Sequence, residues 1–173
     1  MMTARTPLEC QLYIELHPCD CGGAATNITH RLVTRDDTLC AHYQGHCLDC
    51  GADLEYLFAL DPEIAALTAF GGTNPSTIID AGQYMATSER AARQARVDPL
   101  VDEHASARVS LARAVACLDE VIKWIPAGDD QVPISAFFTT EGRRVYMEDP
   151  GRFRRERLLA VLAVYRELLL RLG

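Results

Sequence analysis

The segments His17-Pro18-Cys19-Asp20-Cys21-Gly22-Gly23 and His46-Cys47-Leu48-Asp49-Cys50-Gly51 decide how this chain is read. Cys47-x-x-Cys50-Gly51 has the spacing of a zinc knuckle. Two thiolates reach one ion from a tight turn, and a glycine able to take positive φ lets backbone N–H groups face the sulfurs. Cys19-x-Cys21 is one residue shorter, which makes a tighter chelate, and it keeps Gly22 behind it. His17 is the substitute ligand for that pair, and His46 a weaker one. Together the segments predict one structural zinc ion held by Cys19, Cys21, Cys47 and Cys50. A complete four-thiolate set leaves no open coordination position, the mark of structural rather than catalytic metal. The competing readings are four free thiols in turns and a Cys47–Cys50 redox pair, although no thioredoxin-like βαβ pattern surrounds that pair.

The flanks set the geometry. Upstream, Leu8, Cys10, Leu12, Ile14 and Leu16 alternate with Glu9, Gln11, Tyr13, Glu15 and His17. A period of two predicts a half-buried strand leading into the first cysteine pair. Thr26–Val33 and Leu39–Gln44 are rich in β-formers, and Arg35-Asp36-Asp37 between them signals a turn, so a hairpin is expected. After the second pair, Leu54, Tyr56, Phe58 and Leu60 alternate again. The expected order is strand, cysteine turn, hairpin, cysteine turn, strand, and a hairpin of this length brings the two turns face to face.

Residues 8–60 resemble the zinc-ribbon superfamily, in which two cysteine knuckles on a β-hairpin share one zinc. The longer pattern is similar to uncharacterised bacterial proteins with a paired-knuckle ribbon and a helical tail. The resemblance implies Cys19, Cys21, Cys47 and Cys50 as ligands. It implies a binding platform and supplies no activity.

Bulk numbers agree with a folded chain holding metal in a reducing compartment. Of 173 residues, 49% are apolar and 24% charged, which excludes disorder and allows a core. The cysteines number seven, an odd count, and Met1–Cys10 has no apolar leader, so a disulfide framework is not expected and the expected address is the cytoplasm. Cys10, Cys40 and Cys117 stand apart and read as small buried hydrophobes. No apolar run is long enough to span a membrane. The net charge of -7 disfavours general binding of nucleic-acid phosphates.

Beyond residue 60 the pattern turns helical. Asp61-Pro62-Glu63 predicts a short helix to about Ala69, ended by Phe70-Gly71-Gly72. Ser76 or Asp80 caps a second helix ending near Val97. Asp98-Pro99 starts a long one with Leu100, His104, Leu111, Val115, Leu118, Ile122 and Ile125 on one stripe. Asp149-Pro150 starts the last, with Leu158, Val161, Leu162, Tyr165, Leu168, Leu169 and Leu172 as its apolar face. Pro133–Thr140 reads as one helical turn and Gly142–Met147 as extended. The expected class is α+β: a small antiparallel zinc-ribbon sheet over residues 1–60, packed against three to four helices of residues 61–173 and sharing one core with them.

Signatures for zinc deaminases, zincins, nucleophile-elbow hydrolases and Walker-type NTPases are missing. Arg143, Arg144, Arg152, Arg154, Arg155 and Arg157 cluster in sequence and are the candidate contact for an acidic partner or a phosphate. The expected function is therefore a zinc-stabilised protein-interaction module of adaptor, inhibitor or immunity type, without catalysis, whose partner is another protein. The alternatives are a nucleic-acid-binding ribbon using the Arg143–Arg157 cluster and a metal-dependent enzyme with His30, His42 and Glu55.

Overall fold

A computed structural model describes residues 1–61, 69–95 and 103–172. The chain forms an α+β structure of two compact units: residues 1–72 with 76–78, and residues 73–75 with 79–173. The helix expected from Asp61-Pro62-Glu63 and the start signal at Asp98-Pro99 fall on residues outside the described ones, as does the side chain of His104.

The first unit holds a four-stranded sheet in the order β1-β4-β3-β2, built from β1 (Met2–Ala4), β2 (Ala25–Arg35), β3 (Thr38–Cys47) and β4 (Asp53–Leu60). The expected hairpin is β2–β3. Its two-residue turn places Asp36 at φ 48 and Asp37 at φ 60, the left-handed pair whose twist matches that of the flanking strands. β4 returns antiparallel beside β3, and β1 adds parallel to β4.

The segment expected as a first strand is a helix, α1 (Pro7–Leu16). Thr6-Pro7-Leu8-Glu9 is a helix start: the Thr6 hydroxyl accepts from Glu9 N at 3.2 Å, and Pro7 occupies the first turn, where a missing N–H costs nothing. The Glu9 carboxylate is fully buried; it accepts from Arg5 N at 2.6 Å and from the Arg5 guanidinium at 2.6 Å. That local network outweighs the period of two. α1 lies on one face of the sheet, with the Tyr13 ring edge-on to Phe58 at 5.4 Å and Cys10 beside Tyr43.

The second unit is helical: α2 (Ala81–Gln94), α3 (Glu103–Lys123), α4 (Thr140–Glu148) and α5 (Arg155–Arg171). α3 packs against both α2 and α5. Ala91, Ala92 and Ala114 form a core with Tyr165 against it, and Ser88 Oγ donates to Ala114 O at 2.7 Å. Gly142–Met147, expected as extended, belongs to α4. Thr139 caps it by accepting from Gly142 N at 2.9 Å. Asp149-Pro150 opens a short 3₁₀ turn (Pro150–Phe153) instead of the last helix itself. Arg154 then pairs with Gln131 in an isolated bridge before α5 begins. Of the apolar face expected on α5, only Leu158 and Leu162 are buried.

α2 and α4 meet at glycines. A Cβ on Gly82 would lie 2.4 Å from Gly142 O, and one on Gly142 would lie 2.0 Å from an Asp80 carboxylate oxygen. Only bare backbone fits there.

Candidate metal centre

Two nearly equivalent turns carry the four cysteines. In the first, Gly22 N donates to Cys19 O at 2.7 Å; in the second, Gly51 N donates to Cys47 O at 3.0 Å. Both turns end on a left-handed glycine, Gly22 at φ 87 and Gly51 at φ 71. Hairpin register aligns the turns: Ala25 sits opposite Cys47, and Leu48 N donates to Ala24 O at 2.8 Å. The first turn follows a helix and not a strand, so the likeness to a zinc ribbon reduces to a small sheet with a shared cysteine cluster.

The sulfurs of Cys19, Cys21, Cys47 and Cys50 all lie within 4.8 Å of one another. Cys19 and Cys50 sulfurs are 3.6 Å apart, and those of Cys21 and Cys47 3.3 Å. A regular tetrahedron with Zn–S bonds of about 2.3 Å has sulfur–sulfur edges of about 3.8 Å, so the cluster has the size a zinc ion needs. A disulfide would require about 2.05 Å, and all four cysteines are free. The set could hold a metal ion.

Electrostatics within the cluster are uneven. The Cys50 N–H donates to the Cys47 sulfur, the Asp49 N–H adds to it, and together they lower the Cys47 thiol to about 6. At Cys21 the Gly23 N–H acts in the same sense, but the neighbouring sulfurs of Cys47 and Cys50 outweigh it and raise the thiol to about 12. Cys19 is also raised: the Cys21 N–H lowers it, and the Cys50 sulfur, burial and the Cys47 sulfur together outweigh that. The Cys47 sulfur is thus the readiest of the cluster to ionise, while a cation must displace protons from Cys19 and Cys21.

His17 stands outside the sulfur cluster. Its ring stacks on Tyr13 at 3.8 Å, and Nδ1 is 2.8 Å from Tyr13 O. His46 Nδ1 lies 2.8 Å from Asp53 Oδ1.

The other sequence candidates divide. His30 and His42 are not opposite each other: His30 pairs with Tyr43, and His42 with Arg31. His42 and Glu55 do meet, Nε2 to Oε1 at 2.5 Å, and Arg31 Nε donates to His42 Nδ1 at 3.1 Å. Both ring nitrogens are thus engaged in one Arg31–His42–Glu55 chain. The arginines of the second unit are largely spoken for. Arg144 pairs with Glu141 and Glu148, Arg152 with Glu89 and Glu148, and Arg157 with Asp149. Arg143 and Arg155 donate to the carbonyls of Phe137, Asp129 and Pro126. Arg154 is exposed.

No family model matches this chain, and no curated protein or solved structure matches it. No helix among the described residues is long and apolar enough to cross a membrane.

Proposed function

We propose that the protein is a zinc-stabilised interaction module that binds another protein, as an adaptor, inhibitor or immunity-type partner, without catalysing a reaction. The carrying observation is the four-sulfur cluster, with every sulfur within 4.8 Å of the others. Thiolates select zinc among the common divalent ions, and four of them close its coordination shell. When bound, the ion supplies cross-linking: it ties the turn after α1 to the turn between β3 and β4. The His42 ring, engaged at both nitrogens, supports a structural use of that residue over an acid–base one. Local pairing of the arginines supports a solvated, ion-paired surface over a phosphate-binding one.

The test has two arms. Metal analysis of the purified chain should give one zinc per chain, and Co²⁺ replacement should give a tetrahedral thiolate spectrum. Zinc-loaded protein should then capture a cellular protein that a Cys47→Ser, Cys50→Ser double variant does not. A protein retained equally by both forms, or a turnover assay succeeding on the purified chain, removes this reading.

A further inference from the structure

α1 covers β4 and β3 through Tyr13 on Phe58 and Cys10 on Tyr43, but β2 is exposed along most of its length. Between α1 and β2 a cleft of about 570 Å³ opens, and the turn carrying the first cysteine pair forms its end wall through Pro18, Gly22 and Ala24. The size falls within the range of small-molecule sites. Ile14, Ile28, His30 and Tyr43 line the cleft, the last two with ring centroids 4.8 Å apart. Among the described residues that line it, Glu15 is the sole carboxylate and none is a lysine or arginine.

We propose that this cleft binds a small amphipathic amine, a molecule with a flat apolar body and a protonated nitrogen. The flat body enters between Ile14 and Ile28 and meets the ring pair, where aromatic contacts favour stacked or edge arrangements. The ammonium faces Glu15 and the Tyr43 ring, a carboxylate and an aromatic face that both attract a cation. A dication held by four thiolates leaves the end wall with net negative charge, and low-dielectric walls focus such a potential into a cleft. That last contribution rests on the proposed zinc site; the cleft, its rings and Glu15 do not.

Tryptamine and indole-3-propionate share one ring system and differ in the sign of the charged end, so they are the probes. The full zinc-loaded chain, labelled with ¹⁵N, is titrated with each while amide shifts are followed, and zinc content is measured on the same sample. The expected result is saturable shifts at Glu15, Ala24, Ile28 and His30 with tryptamine. Tryptamine should bind about tenfold or more tightly than the carboxylate. Glu15→Gln, on an exposed helix face, should remove most of that preference, and Ala24→Trp should fill the cleft and abolish tryptamine binding with zinc content unchanged. If Ala24→Trp disturbs the fold, Ile28→Ala serves instead and should weaken tryptamine with zinc content unchanged. Absence of saturable shifts in the cleft, or equal binding of the two probes, overturns the proposal. Zinc content reports separately on the metal site, so the two readings fail independently.

Discussion

Asp80 and Thr139, 59 residues apart, are joined by two hydrogen bonds to one carboxylate oxygen, from Thr139 N at 2.8 Å and from Thr139 Oγ1 at 2.7 Å. The other oxygen accepts from Gln83 N at 2.9 Å and so caps α2. Thr139 in turn caps α4. One fully buried carboxylate thereby fixes the starts of two helices and the close approach of Gly82 to Gly142.

Removing that carboxylate should be costly. Asp80→Ala loses the α2 cap and orphans the half-buried Thr139 donors, and the expected destabilisation is about 2 kcal/mol. Urea unfolding of wild type and variant checks it; a change below about 0.5 kcal/mol would show the network to be idle.

Gly142→Ala is a sharper case because two principles oppose each other. Helix propensity alone favours alanine by about 1 kcal/mol. The added Cβ would meet the Asp80 oxygens at 2.0 to 2.1 Å, so the net effect should be destabilising, by about 2 kcal/mol or more. A stabilised variant would mean that α2 and α4 separate easily.

Metal affinity should fall steeply with acid. In the metal-free chain the Cys19 thiol is raised and the Cys21 thiol stands at about 12, so a bound cation displaces at least these two protons at neutral pH. Apparent affinity should drop about a hundredfold or more per pH unit lost near pH 7. Competition against a chelator of known affinity at pH 6 and pH 7 measures the slope, and a slope near zero contradicts thiolate ligation.

Alkaline pH should loosen the first unit by a separate route. Burial raises the Cys10 thiol from 9.0 to about 12 and raises the Tyr43 phenol in the same direction. The unfolded chain therefore gives up these protons before the folded one does. Their contribution is complete below about pH 9 and is lost as pH climbs toward 12. Urea midpoints at pH 8, 9.5 and 10.5 should fall, and Cys10→Ala should flatten the trend. Equal slopes in wild type and variant would assign the loss elsewhere.

How far these features are legible in the sequence differs by element. The β2–β3 hairpin is legible because the β-formers of Thr26–Val33 and Leu39–Gln44 and the Arg35-Asp36-Asp37 turn agree with each other. Convergence of the cysteine pairs follows from that hairpin and their spacing. α1 is obscured by the alternation from Leu8 to Leu16, and the signal that recovers it is the Thr6-Pro7-Leu8-Glu9 start. β1 spans only Met2–Ala4, too short to show a period. α4 reads as extended because Val145-Tyr146 favours strand, while the capping Thr139 lies upstream of that window. The cleft is invisible to any local reading: Ile14, Ile28 and Tyr43 come from three elements, α1, β2 and β3, that line one cavity only in the folded chain.

The two-residue turn at Asp36-Asp37 has a thermodynamic consequence for the sulfur cluster. Hydrogen bonds along the hairpin, from Arg35 opposite Thr38 to Ala25 opposite Cys47, already hold the distant ends of the loop together. The entropy of closing that loop is therefore charged to the sheet and not to the cation. Metal capture should be quick and should leave the strand pairing nearly as it found it. One residue added to the tip would rotate every later side chain of β3 to the opposite face, and the sulfurs of Cys47 and Cys50 would point away from their partners.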